Sequence, residues 1–525
     1  MSIKNKGICF SYPLVFDTSG ERLSCPVLFP RLHNGEMYGD TTAEGAEGKT
    51  VICSVCLPAH FVVTDPKGTV RSQRKEKELA MRILRVGDQT VVDIMQQSLL
   101  PDRDYRLSPY TFSAAGACGR LLKNMETGMI LSLSDAEWSH IAPLKESTEK
   151  GTALLGAGLA DCVKYGFLVE SDTDDYAHYK QLRSLLQMLS AEEPGTKTYT
   201  ILPTTACNAR CVYCYEEGMP VLSMSKETAD KVVEFIEKTR WQDTVTLLWF
   251  GGEPLAGSKI ISRICRGLRE KSIPFRSKII TNATLMSPEL LEEAVSDWRL
   301  ESAQVSVDGL RADYEARKRY VNPAANPYDA MMDAVGRMLE KGIRVTLRCN
   351  YDGDNLEGLE TFAEEVRTRF AGQDKLSLYP AMLFQAQSRE SGIDLYRRIW
   401  KLNDRLRELN LAGEKKKQRA LRINLCGADS DEKSVVIAPD GQLYHCEHLP
   451  GNTSFGSVYD PDSVVCSDER ASLEADPTCR SCCFLPECTP FFKNGCADYF
   501  ANCRAFKEIE TAENLRRSMR ESEQR

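Results

Sequence analysis

Between Thr198 and about Leu383 the chain repeats one pattern: a short, apolar, β-branched run followed by a stretch with helical spacing. The strand runs are Thr198–Pro203, Val245–Phe250, Ser277–Thr281, Glu301–Val307, Arg344–Asn350 and Leu376–Met382. Helical spacing covers 226–240, 259–271, 289–298, 328–341 and 356–370, the third opening on Ser287-Pro288, a cap followed by proline at the first helical position. Such alternation demands parallel strands joined by crossovers, because a hairpin cannot reach a parallel neighbour. The expectation is an α/β fold built on a partial (β/α)6 barrel of the TIM type, since the region ends before two further units fit. In that architecture the loops at the carboxyl ends of the strands share one face, so residues from different units meet there.

Unusual residues do stand at those ends. After the first strand come Cys207, Cys211 and Cys214, a CxxxCxxC run with Tyr213 before the third thiol. Three thiolates on one loop can take three corners of a cubane iron-sulfur cluster and leave one iron open, although three cysteines alone also suit zinc. After the second strand comes Gly251-Gly252-Glu253-Pro254, where the glycines let the backbone approach a ligand and Glu253 could meet an ammonium group. Asn282 follows the third strand, and Ser306 and Asp308 end the fourth. On the fifth, Thr346, Arg348 and Asn350 share one face while Val345, Leu347 and Cys349 share the other. Together these groups suit a zwitterionic, ribose-bearing ligand better than they suit packing.

The cysteine run and the Gly-Gly-Glu-Pro turn resemble those of radical S-adenosylmethionine (SAM) enzymes. The resemblance implies a [4Fe-4S] cluster on Cys207, Cys211 and Cys214. It also implies a SAM pocket drawn from Tyr213, Gly251, Gly252, Glu253, Pro254, Asn282, Ser306, Asp308 and Arg348. Reductive cleavage of SAM to a 5'-deoxyadenosyl radical, which takes a hydrogen atom from substrate, is the implied chemistry.

Beyond a charged amphipathic stretch, 401–410, the cysteine density rises: Cys426, then Gly441-Gln442-Leu443-Tyr444-His445-Cys446, Cys479, Cys482, Cys488, Cys496 and Cys503. This part, 401–525, resembles the SPASM extension of radical SAM enzymes that act on peptides. The resemblance implies two auxiliary clusters, one on Cys426, Cys446 and Cys496, the other on Cys479, Cys482, Cys488 and Cys503. The usual CxxxC step after Cys488 meets Phe492 instead, so the first cluster has either an open site or Cys483 as a fourth ligand. Zinc on Cys479, Cys482, Cys488 and Cys496 is the alternative. In related sulfatase-maturing enzymes an aspartate follows the GxxxxC cysteine and acts as a base; here that position is Glu447, the candidate catalytic residue, which reads equally as a solvated loop side chain. Cys118, Cys162, Cys265, Cys349 and Cys466 read as plain thiols.

Upstream, residues 105–193 read as a winged-helix-like unit. Strand runs at 120–122 and 129–133 flank an Asn124–Gly128 turn, and Ser134 with Glu137 makes a capping box. A helix over 152–165 stops at Gly166 before a strand at 167–169, and a charged helix covers 172–193. The unit resembles the leader-peptide-recognition modules of peptide-modifying radical SAM enzymes, in which the substrate adds a strand to a sheet edge; a plain packing domain is the alternative. Residues 1–104 form an extension of unassigned role, with a hairpin around Asp65-Pro66-Lys67-Gly68, a short charged helix over 75–84, and Cys53 and Cys56 as candidate zinc ligands alongside Cys9, Cys25, His33 and His60.

Composition sets the frame. A chain of 525 residues exceeds the ~250–300 that one core serves, so several domains are expected. No apolar run is long enough to span a bilayer, and no signal-peptide core follows Met1, so the expectation is a cytoplasmic protein whose 20 cysteines serve metals rather than disulfides. A net charge of -8 argues against a nucleic-acid partner. The combined reading is a maturase that cross-links a leader-bearing precursor peptide through a thioether or carbon-carbon bond and draws electrons from a flavodoxin- or ferredoxin-type reductant. Formylglycine formation in a sulfatase and a non-catalytic iron-sulfur electron carrier are the alternatives. The long segment before Cys207 favours the first reading, and the SAM-pocket residues argue against the carrier.

Overall fold

The computed structural model describes residues 81–488 and 503–523, apart from 86, 117–118, 191–197, 241–242, 323–325, 384–388, 414–420, 422–433, 446, 448–453 and 463–476, and five two-residue strands before residue 72. Two units emerge, Met1–Glu78 and Leu79–Arg525. In the first, Val15–Phe16 pairs with Arg22–Leu23 and Ile52–Cys53, and Val63–Thr64 pairs with Val70–Arg71 to give the hairpin expected around Asp65–Gly68. The candidate zinc ligands other than Cys53 lie outside the described residues. The helix expected over 75–84 is corrected in its described part: Arg82–Arg85 is a strand.

The second unit opens with an antiparallel sheet in the order Arg82–Arg85, Ile130–Leu133, Arg120–Asn124, Thr111–Ala115. Asn124, fully buried, shapes the central hairpin: its side-chain oxygen accepts the N–H groups of Glu126 and Thr127, each at 2.9 Å. The capping box at Ser134 is present and starts the helix Asp135–Ile141. The single helix expected over 152–165 is instead two, Gly151–Gly156 and Ala160–Lys164, because Gly158 turns the backbone at φ +72° between them. A second sheet joins Glu149–Lys150, Asp104–Leu107 and Leu168–Glu170, and the charged helix runs Asp175–Ser190.

Six parallel strands then follow in sequence order: β1 (Thr198–Ile201), β2 (Val245–Trp249), β3 (Phe275–Thr281), β4 (Leu300–Val307), β5 (Arg344–Tyr351) and β6 (Leu376–Met382). Their crossovers carry α1 (Lys226–Thr239), α2 (Ser258–Glu270), α3 (Pro288–Ser296), α4 (Arg311–Lys318), α5 (Pro327–Glu340) and α6 (Leu359–Arg369), and α7 (Arg389–Glu408) follows β6. Side-chain caps start α1 and α3, where the hydroxyls of Ser225 and Ser287 accept the third N–H at 2.9 and 3.1 Å. Apolar helix faces, such as Val232 and Ile236 of α1 or Met331, Val335 and Met338 of α5, join one core with Tyr199, Leu247, Val305 and Leu347 from the strands.

The sheet does not stop at β1. Three strands of the cysteine-rich region extend it: β7 (Ser434–Ile437) lies parallel to β1 with Thr198 opposite Ser434, and β8 (Gln442–Tyr444) and β9 (Gly456–Ser457) follow antiparallel. Among the described residues no helix is long and apolar enough to cross a membrane.

Candidate active site

The cysteine loop leaves β1 and is held on both sides by backbone. The N–H of Arg210 donates to the carbonyls of Lys318 and Arg319, both at 3.0 Å, that of Val212 to Arg317 at 3.0 Å, and that of Val321 to Asn208 at 2.9 Å. This pairing is possible because Arg319 leaves α4 in the left-handed region, φ +47°, and turns the following residues alongside the loop. All three thiols are half-buried and reduced. Burial, then the nearby Glu253 carboxyl and the other two sulfurs, pushes the Cys207 thiol up to about 12, against the N–H of Ala209 at 3.4 Å. Cys211 and Cys214 are raised by burial as well, with the Lys318 ammonium pulling the other way on both. Among the described residues no three Cys, His, Asp or Glu side chains converge as one ion requires. A cubane gives each thiolate its own iron, so its ligands need not meet at a point.

The Gly-Gly-Glu-Pro turn is at the same end of the barrel and touches this loop directly. The N–H of Gly252 donates to Thr204 at 3.2 Å and that of Glu253 to Ala206 at 2.9 Å. A Cβ on Gly251 would stand 2.3 Å from the Thr204 carbonyl, and one on Gly252 2.4 Å from that of Thr205, so only glycine allows the contact. Pro254 begins the turn of helix that follows. The Glu253 side chain, 1% exposed, takes a role the sequence did not suggest. Its carboxylate accepts the Thr281 hydroxyl at 2.6 Å and the N–H groups of Leu255 at 3.0 Å and Asn282 at 2.8 Å, which ties the end of β2 to that of β3. Asn282 in turn donates to the Asn208 side chain of the cysteine loop at 2.8 Å.

A second polar cluster joins the loop to β4 and β5. The Tyr213 hydroxyl donates to Asp308 at 2.6 Å and accepts from Asn350 at 3.0 Å. Asp308, fully buried, also faces Arg317 at 3.8 Å and Lys318 at 3.6 Å, and its second carboxylate oxygen has no hydrogen-bond donor. Asn355 clamps the two strand ends by donating to the carbonyls of Asp308 at 2.8 Å and Asn350 at 3.0 Å, while Arg317 forms a two-pronged pair with Asp352 at 3.1 and 2.6 Å. Ser306 and Arg348 stand opposite each other in the β4–β5 register, Ser306 half-buried and Arg348 exposed. The residues missed from sequence are Arg317, Lys318, Asp352 and Asn355. The signal for the first two was the basic run Arg317-Lys318-Arg319, a few residues beyond the Ser-Val-Asp-Gly strand end.

In the cysteine-rich region the structure describes Cys479, Cys482, Cys483 and Cys488 around a short helical turn. Cys426, Cys446 and Cys496, and the side chain of Cys503, lie outside the described residues. Glu447 is an exposed residue shortly after β8. The 479–488 segment packs on the upstream unit: Phe484 meets Phe112 with ring centroids 5.4 Å apart, the Tyr110 hydroxyl donates to the Arg480 carbonyl at 3.1 Å, and Lys123 pairs with Glu487. Beside this junction a groove of about 1160 Å³ runs along the strand Thr111–Ala115, with Arg120 and Arg480 on its walls, Arg106, Arg504 and Arg516 paired there with Asp175, Glu508 and Glu513, and Cys483 at one side.

These features suit the group that the sequence implies. Three thiols share a loop pinned by backbone, two glycines leave room where a Cβ could not fit, and a buried carboxylate oxygen and an ammonium face the loop without full satisfaction. Comparison with known proteins agrees. Residues 201–366 match the Radical SAM superfamily. A probable GTP 3',8-cyclase of Methanocella arvoryzae is 26% identical over 141 residues, 27% of this chain and 42% of that protein. An AdoMet-dependent heme synthase of Methanosarcina barkeri is 30% identical over 112 residues, 21% of this chain and 30% of its own. The matches thus span less than half the length of these relatives. Native anSMEcpe with bound AdoMet superposes with a TM-score of 0.50 at 13% identity, over 62% of this chain and 99% of that one, a likeness of fold.

Proposed function

From a chain that carries a radical SAM domain over residues 201–366, we propose a peptide maturase: an enzyme that cleaves SAM reductively and forms a thioether or carbon-carbon cross-link in a ribosomally made precursor peptide. The observation that carries the SAM chemistry is the direct backbone contact between the cysteine loop and the Gly-Gly-Glu-Pro turn, at 3.2 and 2.9 Å. The iron-sulfur cluster and SAM, when bound, supply the one-electron cleavage and the hydrogen-abstracting radical. The chain's own residues do the rest. Cys207, Cys211 and Cys214 would hold the cluster, the glycine backbone of Gly251 and Gly252 would admit the methionyl end of SAM, Ser306 would reach its ribose or carboxylate, and Arg348 would bind its carboxylate. Tyr213, Asp308, Asn350 and Asn282 fix the loop so that those groups keep their spacing.

The peptide reading is supported by the upstream unit. Antiparallel strands use alternate residues for pairing. The bonds Met125 to Tyr110 and Gly116 to Gly119 set the phase so that Ser113 and Ala115 direct their backbone groups away from the neighbouring strand. Thr111–Ala115 is therefore a free edge among the described strands, along a groove of mixed charge, and an extended precursor segment that pairs with the edge is the occupant that fits. Cys483 at the groove side brings that segment toward the cysteines of the extension. There Cys479, Cys482, Cys488 and Cys503 hold an auxiliary cluster, Cys426, Cys446 and Cys496 a second, and Glu447 serves as base. Electrons come from a ferredoxin- or flavodoxin-type donor.

The test is anaerobic incubation of the reconstituted protein with SAM and dithionite. Methionine and 5'-deoxyadenosine are expected, and their absence would reduce the chain to an electron carrier. With a precursor peptide encoded nearby, mass spectrometry is expected to show loss of two hydrogens with every cysteine residue retained. Conversion of one cysteine to an aldehyde would replace cross-linking by formylglycine formation.

A further inference from the structure

Lys318 ends α4 with 3% of its surface exposed, and its one charged partner within ion-pair distance among the described residues is Asp308, at 3.6 Å. A buried ammonium is costly unless paired and hydrogen-bonded. That partner is shared: Asp308 also accepts the Tyr213 hydroxyl at 2.6 Å and faces Arg317 at 3.8 Å. Arg317 has a second carboxylate, Asp352, held by two hydrogen bonds; among the described residues Lys318 has no second carboxylate within ion-pair distance. What lies near its ammonium is the cysteine loop. It stands 5.7 Å from the centre of the Tyr213 ring, next in sequence to Cys214, and the Lys318 carbonyl receives the Arg210 N–H at 3.0 Å, which fixes lysine and loop together.

We propose that Lys318 is a positioning residue that makes the loaded cluster easier to reduce, its fixed ammonium offsetting the negative charge of the three thiolates. An electron from a ferredoxin- or flavodoxin-class donor adds one negative charge to a centre that its thiolates already make negative. A cation held in the protein interior stabilises that added charge far more than an exposed one, which water and salt would screen. Asp308 works in the opposite sense, and its pairing with the lysine at 3.6 Å keeps the ammonium in place.

The inference rests on the iron-sulfur reading, and the measurement separates the two. Native protein, Lys318→Met and Lys318→Arg are reconstituted and assayed for iron and thermal unfolding, then titrated potentiometrically by electron paramagnetic resonance, following the signal that changes when SAM is added. A native chain that takes up no iron defeats the reading of function. With iron bound, Lys318→Met is expected to lower the reduced-to-oxidised ratio at fixed potential about tenfold, which for a one-electron couple is about 59 mV, while Lys318→Arg stays near native. A Met variant that keeps its iron and its native midpoint overturns the proposal, as does an Arg variant that shifts as far as Met. Should the Met variant lose its iron, Asp308→Asn decides, since removing that carboxylate is expected to raise the ratio and an unchanged or lowered ratio overturns the idea.

Discussion

Glu253 offers a sharp test, because its sequence context and its surroundings assign it different work. Beside two glycines it suggests a carboxylate waiting for a ligand's amine. In the folded chain it already accepts three donors: the N–H groups of Leu255 and Asn282 and the hydroxyl of Thr281. Glu253→Ala removes all three acceptors at once. The Thr281 hydroxyl keeps the Ala283 N–H it accepts at 2.8 Å and can rotate its proton about the C–O bond. The two backbone donors cannot turn, and each stranded buried donor costs roughly 1–3 kcal/mol. Two of them, at mid-range, amount to about 4 kcal/mol. For a cooperative unit of 150–250 residues each kcal/mol moves the melting temperature by ~2–4 °C, so a drop of about 8–16 °C is expected in protein free of iron and SAM. Thr281→Val, which removes one donor to Glu253 and strands the single Ala283 N–H, should cost about 2 kcal/mol, half as much. Differential scanning calorimetry of the metal-free variants measures both. If Glu253→Ala melts with the native protein and loses only SAM affinity, the strand-tying role is wrong and the ligand role stands.

Three further outcomes are expected. Ser113→Pro deletes an N–H that points out of the sheet and spares the internal ladder, so peptide turnover should fall at least about tenfold while uncoupled SAM cleavage continues; equal loss of both would show that the edge is structural. Cys211→Ala should remove about one cubane's iron per chain and abolish 5'-deoxyadenosine formation, whereas Cys482→Ala should lower iron yet leave SAM cleavage measurable. In the upstream unit, His178 lies 3.7 Å from Glu126, and that nearby carboxyl raises the imidazole above its ordinary 6.5. The stability it lends is complete below that pH and fades as pH climbs through the raised value. Melting temperature should therefore decline from about pH 6 to about pH 8 more in native protein than in His178→Gln, modestly, because solvent reaches the imidazole and screens the pair; identical slopes would remove the pair from the account.

The six parallel strands and five of the crossover helices were legible because they announce themselves locally, through apolar runs, helical spacing and the Ser287-Pro288 helix start. α4 escaped because Arg311–Lys318 carries no apolar stripe; Tyr314 is its one buried apolar side chain, so its sequence looks like a solvated turn. With α4 went Arg317 and Lys318, whose role depends on a left-handed Arg319 that nothing in the residue type demands. The pairing of β7 with β1 was invisible for another reason. β1 reads as a strand, 434–437 receives no assignment from the sequence, and which edge accepts which is settled by three-dimensional fit across more than two hundred residues. The cysteine loop and the glycine turn stood out because few other uses require those residue types together.

The union of β7 with β1 limits how this protein can be divided. A cut near residue 400, where the sequence suggests a natural seam, would strip the barrel of the neighbour along Thr198–Ile201 and leave unpaired amides on a buried parallel strand. Such a fragment would tend to stack with copies of itself rather than stay dispersed. Grafting the cysteine-rich extension onto another barrel would in turn require a host whose first strand offers the same vacant side.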